Sequence, residues 1–470
     1  MLQRFLTWIR GVFTKMLHIN DAKRSLKVDV AISTEMQAAI DQWAMMFIDR
    51  APWLDDTTQS LGLPAAIAGE IARLTTVELE SSITGSARAD YLQGEYERVL
   101  LELRSQVETA AAGGGLVFKP YVDGERIAVD CVPAWRFLPT AFNSRGEVTG
   151  AVFVEQVTKG KTYYTRMEHH QLTDDGYTIR NLAYSSLSQG TLGNPCSLAA
   201  VDEWADLEPE LTIRYKDGTA PEGVLFAYFR LPFSNTVDPE SPLGVSVYSR
   251  AVGLIREADR QYSRILWEYE GSELAIDASQ GALQVSGPDG RPAMLPPRSK
   301  RLFRELAIDQ GQSGDLYKVF NPAIRDTSLF NGLDKLLKRI EFNCNLAYGT
   351  LSDPQAVDKT AEEIRSSKQR SYSAVCDVQR ALQSALEHLV WVMDFYASLY
   401  KLAPMGEYEV NFTWGDGVLQ DTDKEYMRRK ELVDSGYLSP EKLLAWYFGI
   451  SEEEAKAFMP AASPPLFGEE

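Results

Sequence analysis

From Ala361 to Tyr400 the chain runs forty residues without a proline or glycine, and no other feature limits its fold as strongly. A helix of that length is about 60 Å long, whereas helices of globular proteins average about 11–12 residues. Thr360 and Glu363, in the order T-A-E-E, supply a capping box at its start, and Pro404 marks its end. The two halves differ in kind. Glu362 to Ser373 is almost wholly polar, while Val375 to Leu399 is apolar over more than one face. The first half must meet water or a lumen, and the second must be buried in protein.

Two shorter helical patterns precede it. Residues 245–270 place Val247, Leu254, Ile255, Ala258 and Ile265 on one face, and residues 327–348 do the same with Leu329, Leu333, Leu337 and Ile340. At 1.5 Å per residue these helices span about 39 and 33 Å. Their similar lengths, and the Gly- and Pro-rich segment 271–325 between them, predict a hairpin that descends, builds something small at its tip and returns. A short loop, 349–360, then leads into the long helix.

The first half of the chain reads differently. Residues 34–112 read as helical, with Tyr91, Tyr96, Val99, Leu100, Leu103 and Val107 on one face, and Gly113-Gly114-Gly115 stops the pattern. The period then falls to two. Strands are predicted at 116–122, 126–132, 135–140, 148–157 and 162–170 as an antiparallel meander, with further strands at 177–186, 211–215 and 224–231. A strand at 408–414 and a small helical tail, with start signals at Ser439-Pro440 and Ser451-Glu452, complete an α+β chain. At the N-terminus, Leu2, Phe5, Leu6, Ile9, Val12 and Phe13 form the apolar face of an amphipathic helix, read as a docking helix in preference to a membrane-surface one. No run is long and apolar enough for a membrane span, so stable membrane insertion is not expected.

The net charge is −18. A protein that grips DNA displaces counterions with a basic face, and this chain as a whole does the reverse. Either DNA is not a partner, or DNA must pass without sticking. Cys131, Cys196, Cys344 and Cys376 are far apart with no CxxC pair, as in a cytoplasmic protein with reduced thiols. Enzymatic patterns are missing. Gly160-Lys161-Thr162 imitates the end of a phosphate-binding loop, but Glu155 holds the position of its first glycine. His169 and His170, as strand neighbours, point to opposite faces and do not suit one metal ion. Asp174-Asp175 reads as a turn. No catalytic residue, cofactor or metal site is predicted.

Three stretches carry a resemblance to a known family. The first is VDCVPAWRFLPTAFNSRGEVTGAVFVEQ with YYTRMEHHQL and YTIRNLAYSS; the second is FAYFRLPFSNTVDPESPLGVSVYSRAVGLIREADRQYSRILWEYEGSE. The third is KTAEEIRSSKQRSYSAVCDVQRALQ with the tail DKEYMRRKELVDSGYLSPEKLLAWYFGISEEEAKA. Together, in this order, they cover most of residues 85–460 and resemble portal proteins of siphophage-type tailed phages, the minor capsid or head–tail connector branch. The resemblance implies a non-enzymatic ring of about twelve subunits at one capsid vertex of the virion, assembled in the host cytoplasm, through which the genome is packaged and ejected. It implies a portal fold: an N-terminal arm (1–60), a helical and β-rich wing (61–244), a two-helix stem (245–270 and 326–348), a small α/β clip (271–325), a tunnel loop (349–360), a long channel-lining helix with its strand (361–417) and a short helical crown (418–470). The implied partners are viral double-stranded DNA met without regard to sequence, the terminase large subunit, the head–tail adaptor, and the major capsid and scaffolding proteins.

About twelve copies would carry roughly 200 negative charges, a field that denies DNA a deep binding minimum. Lys359, Arg365, Lys368 and Arg370 are the candidates for transient phosphate contact, though for each residue taken alone a solvated helix face with no DNA role is the simpler reading. Arg291, Arg298, Lys300, Arg301 and Arg304 are candidates for a docking face on the clip, against the alternative that they keep a Pro-rich loop soluble. The stem arginines Arg250, Arg256, Arg260 and Arg264 stand among Glu257, Asp259 and Glu268 and are expected to pair with carboxylates. Two rivals remain, a membrane-associated oligomeric pore or peripheral membrane protein built on the N-terminal helix, and a hydrolase built on the many carboxylates.

Overall fold

In the computed structural model the Ser33 hydroxyl accepts from Met36 N at 3.2 Å and caps α1 (Thr34–Phe47), a bond typically worth ~1 kcal/mol. Met36, Ile40, Trp43 and Ala44 form its buried stripe. α2 (Leu63–Thr76) follows, then β1 (Leu79–Thr84), which interrupts the stretch read as helical, then α3 (Ala87–Gly113). Leu92, Tyr96, Val99, Leu103 and Val107 are the buried row of α3, while Leu101 is 85% exposed. The structure describes residues 25–188, 191–215, 217–273, 323–353, 361–415 and 422–448, and short pieces at 275–279, 285–286, 292–293, 303–306, 317–320, 451 and 455–456. The amphipathic helix expected at residues 1–19 lies outside them.

The three glycines that end α3 are each needed by a neighbour. Gly114 has φ +90°, and a Cβ there would stand 2.5 Å from the carbonyl oxygen of Gly244. A side chain on Gly244 would in turn collide with Gly114 O. Gly113 is closed by Trp135 and Gly115 by Tyr228. Backbone bonds complete this crossing, from Leu231 N to Gly114 O (3.1 Å) and from Val247 N to Ala111 O (3.0 Å).

The predicted strands form, but not as one meander. β2 (Gly115–Asp123) and β3 (Arg126–Pro133) pair antiparallel, and β10 (Ala227–Arg230) closes the other edge of β2 in a three-stranded sheet. β4 (Phe137–Phe142), β5 (Val148–Lys159), β6 (Thr162–Thr173), β7 (Gly176–Ser186) and β8 (Asn194–Cys196) form a second sheet in that order, and β9 (Glu210–Ile213) also pairs with β7. Between β3 and β4 a 3₁₀ turn at Ala134–Arg136 carries the buried Trp135, and no pairing joins the two strands. Period-two patterning gives strands but does not name their partners.

Aromatic rings and a buried charge cluster hold the two sheets together. Phe153 lies 5.8 Å from Phe137, 5.3 Å from Phe226 and 5.2 Å from His170 between ring centroids. Glu168 on β6 accepts from Lys119 on β2 and from His170 (2.8 Å), and Arg166 stands 3.2 Å away. Burial alone would raise the Glu168 pKa, yet Lys119, His170 and Arg166 together hold it well below the usual carboxylate range. The two histidines do face opposite ways. His170 Nδ1 bonds Tyr177 Oη at 2.7 Å, and His169 Nε2 meets Thr140 Oγ1 at 3.3 Å.

The segment expected to begin a helix at 245 is instead held by the glycine crossing and by Tyr248, whose hydroxyl donates to Trp43 O at 2.8 Å. A 3₁₀ turn at Ser249–Ala251 then leads into α4 (Val252–Gly271), seven residues later than its pattern began. Within segment 271–325 the pieces described between 275 and 320 are strand: β11 (Ala275–Ser279) between β14 (Phe303–Leu306), parallel, and β15 (Tyr317–Phe320), antiparallel, with β12 (Val285–Ser286) paired to β13 (Pro292–Ala293). α5 (Asp326–Asn343) returns against α4, tied by Gln261 Nε2 to Leu329 O (3.2 Å) and by a two-pronged Arg325–Glu268 pair (2.7 and 3.0 Å).

α6 (Ala361–Leu399) is the long helix, within one residue of the expected range. Val375, Val378, Leu382, Leu386, Leu389 and Met393 are buried, and it packs on β2 and β10. Burial starts sooner than the composition suggests: Ser366, Lys368 and Gln369 are exposed, but Ser371 is buried. At its far end the guanidinium of Arg88, wholly buried, pairs with Asp394 at 3.0 Å and donates to Ser398 and to Ala403 O. These elements belong to one contact unit, residues 1–75 with 83–410. The other, 76–82 with 411–470, contains most of β1 and of its partner β16 (Glu409–Trp414), then α7 (Thr422–Asp434) and α8 (Pro440–Phe448). There Tyr426 meets Tyr447 at 5.2 Å, and Arg429 lies 4.4 Å from the Trp446 ring.

The buried histidines predict acid sensitivity. Burial lowers His169 from 6.5 to about 4 and also lowers His170 and His388. Each favours its neutral form in the folded state, so the stability they contribute is intact above 6.5 and is lost as pH falls towards their folded values. The thermal midpoint should fall steadily between pH 6.5 and about 4, and a flat profile across that window would contradict this account.

Candidate functional site

The junction between α5 and α6 is built around one carboxylate. Glu341 continues the apolar row Leu333, Leu337 of α5 and is wholly buried. After Asn343 the chain turns through Asn345, at φ +57°, and Gly349, at φ +87°, and Leu346 N bonds back to Glu341 O at 2.9 Å. Glu341 Oε1 then accepts from the N–H groups of Gly349 (3.1 Å), Leu351 (2.6 Å) and Ser352 (2.8 Å). The Ser352 hydroxyl adds contacts to both oxygens, at 3.1 and 2.9 Å. Two turns earlier on α5, Asp334 accepts from Asp353 N at 3.0 Å. The loop is thus drawn back along α5 by two carboxylates seven residues apart. Because α5 stops at Asn343, the helix expected to reach residue 348 is shorter, and its last residues become this loop.

Arg370, on the first half of α6, closes the same structure from the other side. Its guanidinium lies 4.5 Å from the Phe342 ring and 5.4 Å from the Tyr348 ring, and Nη2 approaches Leu346 O at 3.4 Å. Cation–π contacts of this kind are worth roughly 0.5–2 kcal/mol. Arg370 therefore has a local task, joining α6 to the end of α5. Lys368, by contrast, is exposed on the same helix. Lys359 and the side chain of Arg365 lie outside the described residues, so of the four phosphate-contact candidates the structure places two. Among the docking candidates, Arg304 sits on β14, and Arg291, Arg298, Lys300 and Arg301 lie outside the described residues.

The arginines of α4 pair in part as expected. Arg256 and Arg260 share Glu257, at 3.6 and 2.9 Å, and Arg264 approaches Gln261 at 3.5 Å. Asp259 and Glu268 are turned elsewhere: Asp259 accepts from Trp53 Nε1 (2.8 Å) and Leu61 N (2.9 Å), and Glu268 takes Arg325. Cys131, Cys196, Cys344 and Cys376 are free thiols. Burial pushes the Cys131 thiol up to about 12. Among the described residues no group of acids, histidines and cysteines could hold a metal ion, and no helix is long and apolar enough to cross a membrane.

Sequence reasoning missed Glu341 and the ring contacts of Arg370. A glutamate at the next position of an apolar row was a visible signal for the first. Nothing in the sequence pairs Arg370 with Phe342 or Tyr348, because that contact depends on how far the loop folds back. Replacing Glu341 by Leu would take the acceptor from three N–H groups, one buried and two half-buried, and should cost about 3–5 kcal/mol, measured by denaturant unfolding, whereas Glu341→Gln should cost less than half as much. Equal losses would mean that the packing of the side chain matters more than its bonds.

Comparison with curated proteins found no match. A family model described as "Phage portal protein, SPP1 Gp6-like" matches residues 48–459. That span includes the two sheets built on β2 and β6, the α4–α5 hairpin, the Glu341 junction and all of α6, leaving out α1, and the chain belongs to the phage portal protein family.

Proposed function

We propose that copies of this chain form a closed ring around the path of double-stranded DNA at one vertex of the phage head, and that the genome enters and leaves through it. α6 carries this reading. One helix is exposed at Ser366, Lys368 and Gln369 and carries a buried stripe from Val375 to Ala397, with Asp377, Arg380 and Glu387 on its solvent side, as a rod would be if its start edged a water-filled bore and its end lay against the body of the subunit. In this reading residues 61–244, with the buried end of α6, are the wing, and residues 245–270 and 326–348 are the stem. Residues 271–325 form the clip, 349–360 the tunnel loop and 418–470 the crown. The clip cations Arg291, Arg298, Lys300, Arg301 and Arg304 would meet the terminase large subunit during packaging and the head–tail adaptor afterwards. Major capsid and scaffolding proteins are the remaining partners. The role is structural, with no reaction to catalyse.

The chemistry suits passage better than capture. A net charge of −18 on each copy repels phosphates over most of the surface, so DNA is held nowhere for long. Lys359, Arg365 and Lys368 would offer short-lived contacts at the tunnel loop and the exposed start of α6.

Electron microscopy down the symmetry axis should show closed rings of about twelve subunits. A strictly monomeric protein at high concentration, even with scaffolding protein present, would refute the reading. Arg365→Glu with Lys368→Glu should reduce packaged DNA while rings still assemble. Arg370→Glu should act differently, lowering the unfolding midpoint through the loss of its ring contacts.

A further inference from the structure

An open strand edge runs along β3, which pairs with β2 alone. The phase of that ladder follows from β10. Leu231 N donates to Gly114 O at 3.1 Å, and Phe229 and Ala227 stand opposite Leu116 and Phe118. Backbone polar groups alternate in direction along an antiparallel strand, so the even-numbered residues of β2 serve β10 and the odd-numbered ones serve β3. Pro120, which has no N–H, occupies an even place. Through the register Tyr121↔Ala128, Lys119↔Asp130 and Val117↔Val132, the backbone groups of Ala128, Asp130 and Val132 are committed to β2. Those of Ile127, Val129 and Cys131 point the other way, and among the described residues they meet no partner in the chain. Ile127 is buried and the other two are half-buried, a setting in which backbone N–H and C=O groups are seldom left unbonded. Two clefts follow this edge. One, of about 250 Å³, lies along α3 at Val99; the other, of about 620 Å³, reaches β5 at Phe153 and Val157. Glu102, Val129 and Cys131 border both, so the two are continuous.

We infer that the outer edge of β3 receives an extended, positively charged segment of another protein as an added strand. Main-chain bonds to Ile127, Val129 and Cys131 would supply the pairing, and side chains of the added strand would point alternately to the two sides of the sheet. The charge around the groove decides the chemistry of that segment. Glu168 is held by Lys119, Glu155 by Arg166 and Glu95 by Arg98, and Arg136 is drawn to Glu155. Asp130 has only Lys119, at 3.8 Å, and the exposed Glu102 and Asp123 form no ion pair among the described residues. Against these three carboxylates stands Arg126, so lysine or arginine is favoured in the added strand. A second copy is a poor occupant. Its described strands are already built into sheets, and a sheet edge would bring its own neighbours against α3 and β5, where one strand alone can enter. The groove is independent of the DNA-path reading.

The test uses the full-length protein and a labelled peptide of threonine, valine and lysine as long as β3, 8 residues, followed by fluorescence anisotropy. It should bind at least about tenfold more tightly than an analogue with glutamate for lysine at about 50 mM salt, a gap that narrows at about 500 mM. N-methylation of every second peptide nitrogen should abolish binding in one frame and spare it in the other, because only one edge of an added strand faces β3. Val129→Pro removes an outward N–H without touching the ladder to β2 and should weaken binding at least about tenfold. Glu102→Lys, at an exposed position, should weaken it about threefold to tenfold and unfold as the parent does. Equal effects of the two N-methylated frames, or no binding of the lysine peptide at all, would overturn the inference. So would full binding by both protein variants. A peptide that binds the monomer but not an assembled ring would give the groove to a neighbouring copy, and the foreign partner inferred here would be wrong.

Discussion

Everything in the larger unit is hung on a place where two stretches of backbone cross with no side chain between them. Gly114 ends α3 in a left-handed conformation, and Gly244 passes against its carbonyl so closely that neither position admits a Cβ. From this crossing β2 leads into the first sheet, and the bond from Val247 to Ala111 fixes where the chain departs for the hairpin. The crossing therefore sets the angle between a sheet and a helical arm with main-chain atoms alone. Side chains could relax around a substitution, but this contact cannot.

Charge is distributed by a second rule, that what is buried is paired. Lys119, Glu168, Arg166 and His170 form a closed cluster between the sheets, Arg88 is closed by Asp394, and Glu341 is closed by three backbone donors. Buried ions of this kind contribute little net stability relative to apolar residues, yet removing one partner is costly. They fix register. Glu341 measures how far the loop folds back along α5, and Arg370 fixes where α6 returns.

The sequence and the structure agree best where a signal is local. The long helix was legible because nothing interrupts it and both ends are marked. The turns at Gly124, Gly160 and Asp174-Asp175 lie where turn residues stood, between strands paired in continuous register. Agreement fails where the outcome depends on a distant partner. Residues 245–251 have a helical pattern, but bonds to Ala111 and Trp43 hold them in another form. The division of the strands into two sheets turns on Trp135 and on β10, which lies about a hundred residues from its partner β2 in the chain. Arg370 read as a free cation because its aromatic neighbours lie more than twenty residues away. The outward arginines of α4 were expected to find carboxylates, and two of the nearest, Asp259 and Glu268, were already taken by other groups.

The Arg325–Glu268 bridge has a consequence for how such chains can vary. It joins the last turn of α4 to the residue just before α5, so the two ends of the intervening segment are brought together before that segment begins. A stretch held at a closed base can lengthen, shorten or change sequence without altering the register of the helices that carry it, since the added loop entropy grows only slowly with length. The hairpin is in this sense a socket. Lineages could exchange the piece that faces their own assembly partners while the rod beneath it stays the same.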